Sequence, residues 1–163
     1  MNNKSRKIVS AAMVAAIYAA VTMLLSFSSY GVIQFRVAEA LTILPYFSPV
    51  YIPGLFIGCI IANIISPSGI LDMVFGSCAT LIAAFMTYHI GKSNLKHKKL
   101  IAPLPPVVIN ALVIGIMLHY TIKFPLLLSI IQVGLGEAVC CYGLGLPLLT
   151  YIDKNSHIKK FFI

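Results

Sequence analysis

The chain has 163 residues and a net charge of +8; 60% of its residues are apolar, 10% are charged, and its mean hydropathy is +0.97. A soluble domain carries about 25% charged residues, so this composition excludes an ordinary water-soluble globule and predicts an integral membrane protein. At roughly 20 residues per crossing, six crossings would take about 120 residues and leave no room for a soluble catalytic domain.

The first segment is polar and basic from Asn2 to Lys7, then apolar over 8–27. It resembles a signal peptide with small-residue cleavage options between Ala11 and Ala20, but its length predicts a retained first helix. A hydroxyl-rich stretch, Ser28–Gln34, reads as a loop. A short second segment over 37–47 is bounded by Pro45 and Pro49, because proline lacks the amide N–H and disfavours helix in the residue before it. A third helix is expected over 51–65, closed by the turn cluster Ser66-Pro67-Ser68-Gly69, and a fourth over 70–90. The stretch 91–100 holds Lys92, Lys96, Lys98 and Lys99 and reads as a basic, water-facing loop. A fifth helix over 107–120 follows Pro103, Pro105 and Pro106; a sixth over 125–151 is interrupted by Gly143, Gly145 and Pro147 before a basic tail.

The expected fold is thus an all-α membrane bundle of six transmembrane helices forming one domain over 1–163. An even number of crossings puts ten of the 12 basic residues on the side of both termini and leaves Arg36 and Lys123 opposite. The positive-inside rule then makes the termini and the 91–100 loop cytoplasmic. Small residues recur every four positions, a spacing that lets membrane helices approach closely. Ala11-Ala15-Ala19 and Ala12-Ala16-Ala20 form two such rows on the first helix, and Gly54-Gly58-Ala62 a third. One row is ordinary packing; two on one helix predict a partner outside the chain.

Ionisable residues inside a bilayer are expensive and tend to mark a ligand path, and the chain has only four acids, Glu39, Asp72, Glu137 and Asp153. Glu137, in Gly134-Leu135-Gly136-Glu137, is the strongest binding candidate, with Asn110 at an equivalent depth in the fifth helix. Arg36 and Glu39 stand at a spacing that allows a local ion pair. Asp72 follows a turn, where capping a helix is as reasonable as touching a ligand. Asn63 and Gln132 suit hydrogen bonds between helices, and His119 and Lys123 suit either a pocket rim or a solvated loop. The four cysteines, Cys59, Cys78, Cys140 and Cys141, lie in apolar runs without metal-binding spacing and read as small apolar residues.

Enzymatic readings fail on the motifs. Gly91-Lys92-Ser93 looks like the end of a phosphate-binding loop, but the earlier glycine would fall at Met86 and no strand precedes it. No nucleophile elbow or clustered metal-ligand set appears, so no catalytic residue, metal, cofactor or nucleic-acid partner is expected.

Three stretches carry a family resemblance: Gln34–Thr42 with Leu44-Pro45, Ser66–Ser77, and Gly134–Ala138 with Gly145-Leu146-Pro147. Together they resemble the QueT family, whose members are regarded as substrate-binding S components of energy-coupling factor (ECF) transporters for queuosine precursors. The resemblance implies a bacterial plasma-membrane protein that takes a 7-deazaguanine from outside. It implies partners too: a transmembrane coupling subunit docked on the alanine rows, and two cytoplasmic ATPases. A guanine-type ring presents adjacent N–H and NH₂ donors that one carboxylate can accept, which suits Glu137, while its carbonyl wants a donor such as the Asn110 amide. A cationic 7-aminomethyl group would favour a second acid, Glu39 or Asp72. Phe35 or Phe75 would stack on the ring, and the Ser28–Arg36 loop would be a lid. The alternatives are an S component for another vitamin, such as a flavin or thiamine, and a structural or regulatory membrane protein that binds nothing.

Overall fold

A computed structural model describes residues 2–29 and 34–162, and all regular structure among them is helical. Helix α1 spans Asn3–Leu24, and a 3-10 helix spans Val37–Tyr46. Helix α2 spans Tyr51–Asn63 and α3 Ser77–Lys92. Helix α4 spans Leu104–Ile122, α5 Leu126–Cys140, α6 Leu146–Lys154 and α7 Ser156–Phe162. Single π-helical turns, Asp72–Gly76 and Cys141–Gly145, run directly into α3 and α6.

Four helical stretches are long and apolar enough to cross a membrane: Lys4–Leu24, Asp72–Lys92, Lys98–Ile122, which includes a turn at 102–103, and Leu126–Lys154. The other two expected spans, Val37–Tyr46 and Tyr51–Asn63, are shorter apolar helices. The first of these is not α-helical. A 3-10 helix rises about 2 Å per residue, so ten residues reach about 20 Å where an α-helix would reach about 15 Å. It also accommodates Pro45 in its last turn. The expected interruption near Gly143 is a π turn inside one continuous stretch, and the basic loop narrows to 93–97 because helical structure persists through Lys92 and resumes at Lys98.

Glycines set the closest approach. A methyl group at Gly54 would strike the Ala11 carbonyl, and one at Gly58 would come 2.8 Å from the Ala15 carbonyl. The Ala11-Ala15-Ala19 row is therefore used within the chain, against α2, while Ala12, Ala16 and Ala20 face outward. The core gathers Tyr18, Ile43, Leu55, Leu149 and Ile152 around the 3-10 helix. A smaller group, Ile114, Met117, Leu118 and Val133, joins α4 to α5. Large apolar side chains such as Ile82, Phe85, Leu112, Leu135 and Val139 are exposed, whereas polar ones are buried. That inversion is what a bilayer requires.

The two ends of the chain meet. Arg6 stacks over Phe161 at 5.8 Å, and the Tyr51 hydroxyl donates to the Phe161 carbonyl at 3.4 Å. Asp153 bridges Lys99 at 2.5 Å and Lys159 at 2.6 Å, so the N-terminal turn, the 93–97 connection and α7 share one end of the bundle.

Candidate binding site

The four buried charged residues, Arg36, Glu39, Asp72 and Glu137, are joined in one connected polar network, built where the 3-10 helix passes between the two π turns. Arg36, just before the 3-10 helix, donates from Nη2 to both carboxylate oxygens of Asp72 at 3.0 Å. The Ser66 hydroxyl donates to Asp72 Oδ2 at 2.5 Å, and Asn63 Nδ2 donates to the Asp72 carbonyl at 3.0 Å. Gly76 makes room for this cluster: a side chain there would fall 2.9 Å from both Asn63 Nδ2 and Asp72 Oδ1.

Glu39 lies one turn into the 3-10 helix and is fully buried. Its Oε1 accepts from the Tyr18 hydroxyl at 2.5 Å and the Thr80 hydroxyl at 2.9 Å. Thr80 continues to Cys59 Sγ at 3.5 Å, which in turn accepts from Asn63 at 3.4 Å, closing the path back to Asp72. On the other side, Cys141 Sγ lies 3.7 Å from the Glu39 carbonyl and 3.8 Å from Glu137 Oε2. Glu137 Oε1 accepts from Asn110 Nδ2 at 3.2 Å. Asn110 and Glu137 both sit about 17 Å in from the α4–α5 connection by helical rise, which is why they meet. Gly136 lets the Gln34 backbone lie against α5 beside them, since a methyl there would strike the Gln34 carbonyl.

Two expectations are corrected here. Arg36 pairs with Asp72 rather than with Glu39 three residues on, because its side chain turns into the bundle, where it is 1% exposed. Asp72 gives its carboxylate to Arg36 and Ser66, and among the described residues it makes no capping bond to a helix N–H.

Phe35 and Phe75 are exposed. Phe75 lines a cavity of about 320 Å³ with Leu71, Val113, Ile116 and Met117, between the Asp72–Gly76 turn and α4. None of Glu39, Asp72 and Glu137 lines that cavity. The expected lid is tied at its base, where the Phe35 amide donates to the Ser28 carbonyl at 3.0 Å; residues 30–33 of that loop lie outside the described residues. His119 Nδ1 lies 2.7 Å from the Phe124 carbonyl at the turn beyond α4.

Tyr18, Thr80, Ser66, Cys59 and Cys141 are members that sequence reasoning missed. The two cysteines lie in apolar runs, yet both make polar contacts. Hydroxyls and thiols on apolar helices carry no positional signal until their neighbours are known.

Several buried polar atoms have no partner among the described residues: Glu39 Oε2, Asn110 Oδ1, Asn63 Oδ1, Gln34 Oε1 and Ser77 Oγ. Leaving such a group unsatisfied costs about 1–3 kcal/mol, so a concentration of them marks a place shaped for something else. All but the Ser77 hydroxyl are acceptors only. The charges are also unequal, since Arg36 is the one buried cation among the described residues, against three buried carboxyl groups, Glu39, Asp72 and Glu137. The arrangement therefore suits a polar guest rich in hydrogen-bond donors.

The model of the QueT transporter family matches residues 8–154. The chain belongs to that family. A protein described as "Queuosine precursor transporter QueT" from Lactococcus lactis subsp. cremoris (strain MG1363) is 43% identical over 82 residues, which cover 49% of this chain and 48% of that protein. The chain thus matches about half the length of this QueT relative. No solved structure matches.

Proposed function

We propose that the protein is the substrate-binding S component of an ECF-type importer and takes up a queuosine precursor of the 7-deazaguanine type. Family membership and the relative's name support the cargo class. The observation that carries the residue assignment is the buried, acceptor-rich network around Glu39 and Glu137. Glu137 accepts the adjacent N–H and NH₂ of the ring, and Asn110 holds that carboxylate in place. Asn110 offers its free Oδ1 to the ring as an acceptor, since Nδ2 is engaged with Glu137. Arg36, fixed by Asp72, supplies the buried positive charge toward a ring carbonyl.

The excess of acids favours a cationic 7-aminomethyl substituent, met by Glu39 Oε2, over a neutral 7-cyano one. Aromatic stacking falls to Phe35 or Phe75 once cargo is present. The termini and the 93–97 connection face the cytoplasm, since most basic residues gather there. The outward row Ala12-Ala16-Ala20 is the docking face for the transmembrane coupling subunit; two cytoplasmic ATPases drive release inward. The chain itself catalyses no reaction.

The test is a binding titration on the purified protein in detergent with 7-aminomethyl-7-deazaguanine, 7-cyano-7-deazaguanine, guanine, riboflavin and thiamine. Saturable binding of the aminomethyl compound, abolished in a folded Glu137→Gln variant, is expected. Binding of a flavin or thiamine alone overturns the cargo; binding of nothing, with Glu137→Gln only unfolding the protein, favours a structural role.

A further inference from the structure

Two adjoining cavities at the end of the bundle that holds both termini differ sharply in chemistry. One, of about 310 Å³, is of mixed polarity, with the cations Arg6 and Lys7 and the hydroxyls of Ser10 and Ser48 set among Pro49 and Val50. The other, of about 430 Å³, is a largely apolar groove between Met13 and Ile17 of α1, Leu41 and Leu44 of the 3-10 helix, and Leu148 and Ile152 of α6. They share Arg6, Ser10, Tyr51, Phe161 and Phe162, so they form one continuous depression with a cationic mouth and an apolar floor. No acid lines either part. The nearby Asp153 is already committed to Lys99 and Lys159.

Arg6 is held over the Phe161 ring, and Phe162 packs on Tyr51 with ring centroids 5.8 Å apart, so α7 forms one wall of the depression. Arg6 and Lys7 lie in the first turns of the candidate span Lys4–Leu24, the depth of a lipid headgroup, while the groove continues toward the hydrocarbon.

We infer that this depression is a binding site for an anionic phospholipid, with the phosphate at Arg6 and Lys7 and one acyl chain along the α1–α6 groove. Charge and polarity together select this occupant. A free anion would leave the groove empty, and a choline headgroup would bring a cation up to Arg6 and Lys7. The inference is independent of the cargo, because neither cavity is lined by Arg36, Glu39, Asp72, Asn110 or Glu137.

Native mass spectrometry of the full chain in detergent, with phosphatidylglycerol, phosphatidylcholine or inorganic phosphate added, tests it. Phosphatidylglycerol should be retained in preference to phosphatidylcholine, and its affinity should fall as salt rises. A basic side chain near the surface is worth about fivefold in anionic-lipid affinity, so Arg6→Gln with Lys7→Gln should weaken phosphatidylglycerol about 25-fold. Ser10→Trp, which blocks the junction of the two cavities, should weaken it with the charges intact. Unchanged elution volume and helicity show that the variants are folded. Equal retention of both lipids, insensitivity to salt in the unmodified protein, or displacement of the lipid by phosphate alone would overturn the inference.

Discussion

Arg36 places its Nη2 3.0 Å from both carboxylate oxygens of Asp72, 36 residues away, with both side chains 1% exposed. The pair fastens the entrance of the 3-10 helix to the π turn before α3. Breaking a buried pair strands the surviving charge, at a loss of about 3–5 kcal/mol. Arg36→Gln should therefore lower thermal stability in detergent markedly, and adding Asp72→Asn should recover much of the loss. A double variant no more stable than Arg36→Gln would show that the pair is not what holds these elements together.

Glu39 has two hydroxyl donors on one oxygen, Tyr18 and Thr80. A hydrogen bond to a charged group is worth about 1.5–3 kcal/mol. Tyr18→Phe removes one such bond without changing the packing volume much, and should destabilise the protein by about that amount. Chemical unfolding in detergent reads it; no change would mean that Glu39 draws nothing from Tyr18.

Charge selectivity at the same residue is separable from overall binding. Glu39→Gln should weaken 7-aminomethyl-7-deazaguanine by about tenfold or more, and the cyano compound much less. Calorimetry with both ligands decides this, and an equal loss for the two would remove Glu39 from contact with the substituent.

Glycine substitutions should divide by what a methyl group meets. Gly54→Ala drives Cβ into the Ala11 carbonyl and should cost about 1–3 kcal/mol by forcing α1 and α2 apart. At Gly143 a methyl meets nothing within 4 Å, so Gly143→Ala should be neutral or stabilise by up to about 1 kcal/mol. The melting temperature should fall for Gly54→Ala and hold or rise for Gly143→Ala.

The proposed orientation can be read with an impermeant thiol reagent on intact cells, in a Cys78→Ala background because Cys78 is the exposed cysteine. Lys123→Cys should label from outside, and Lys96→Cys only after permeabilisation. The reverse pattern would invert the topology.

The sequence by itself determined the all-helical, membrane-compatible character of the chain, because that rests on composition and on runs of apolar residues that a bilayer demands. It also singled out Glu137, Asn110, Glu39, Arg36 and Asp72, since a charged or amide group inside an apolar run is conspicuous one residue at a time. Depth along a helix follows from counting residues, so even the Asn110–Glu137 match was legible.

Partner choice was not. By spacing alone Arg36 suits Glu39, and only the packing of the 3-10 helix beside the π turn before α3 gives it Asp72 instead. The same holds for the alanine rows of α1: both have the same spacing, and the position of Gly54 and Gly58 decides which one is covered. Tyr18, Thr80, Cys59 and Cys141 entered the network for the same reason. A hydroxyl or thiol is nearly silent in an apolar run, and its chemistry depends on which side chain another helix brings within about 3–4 Å, a relationship between distant segments that tertiary packing alone creates.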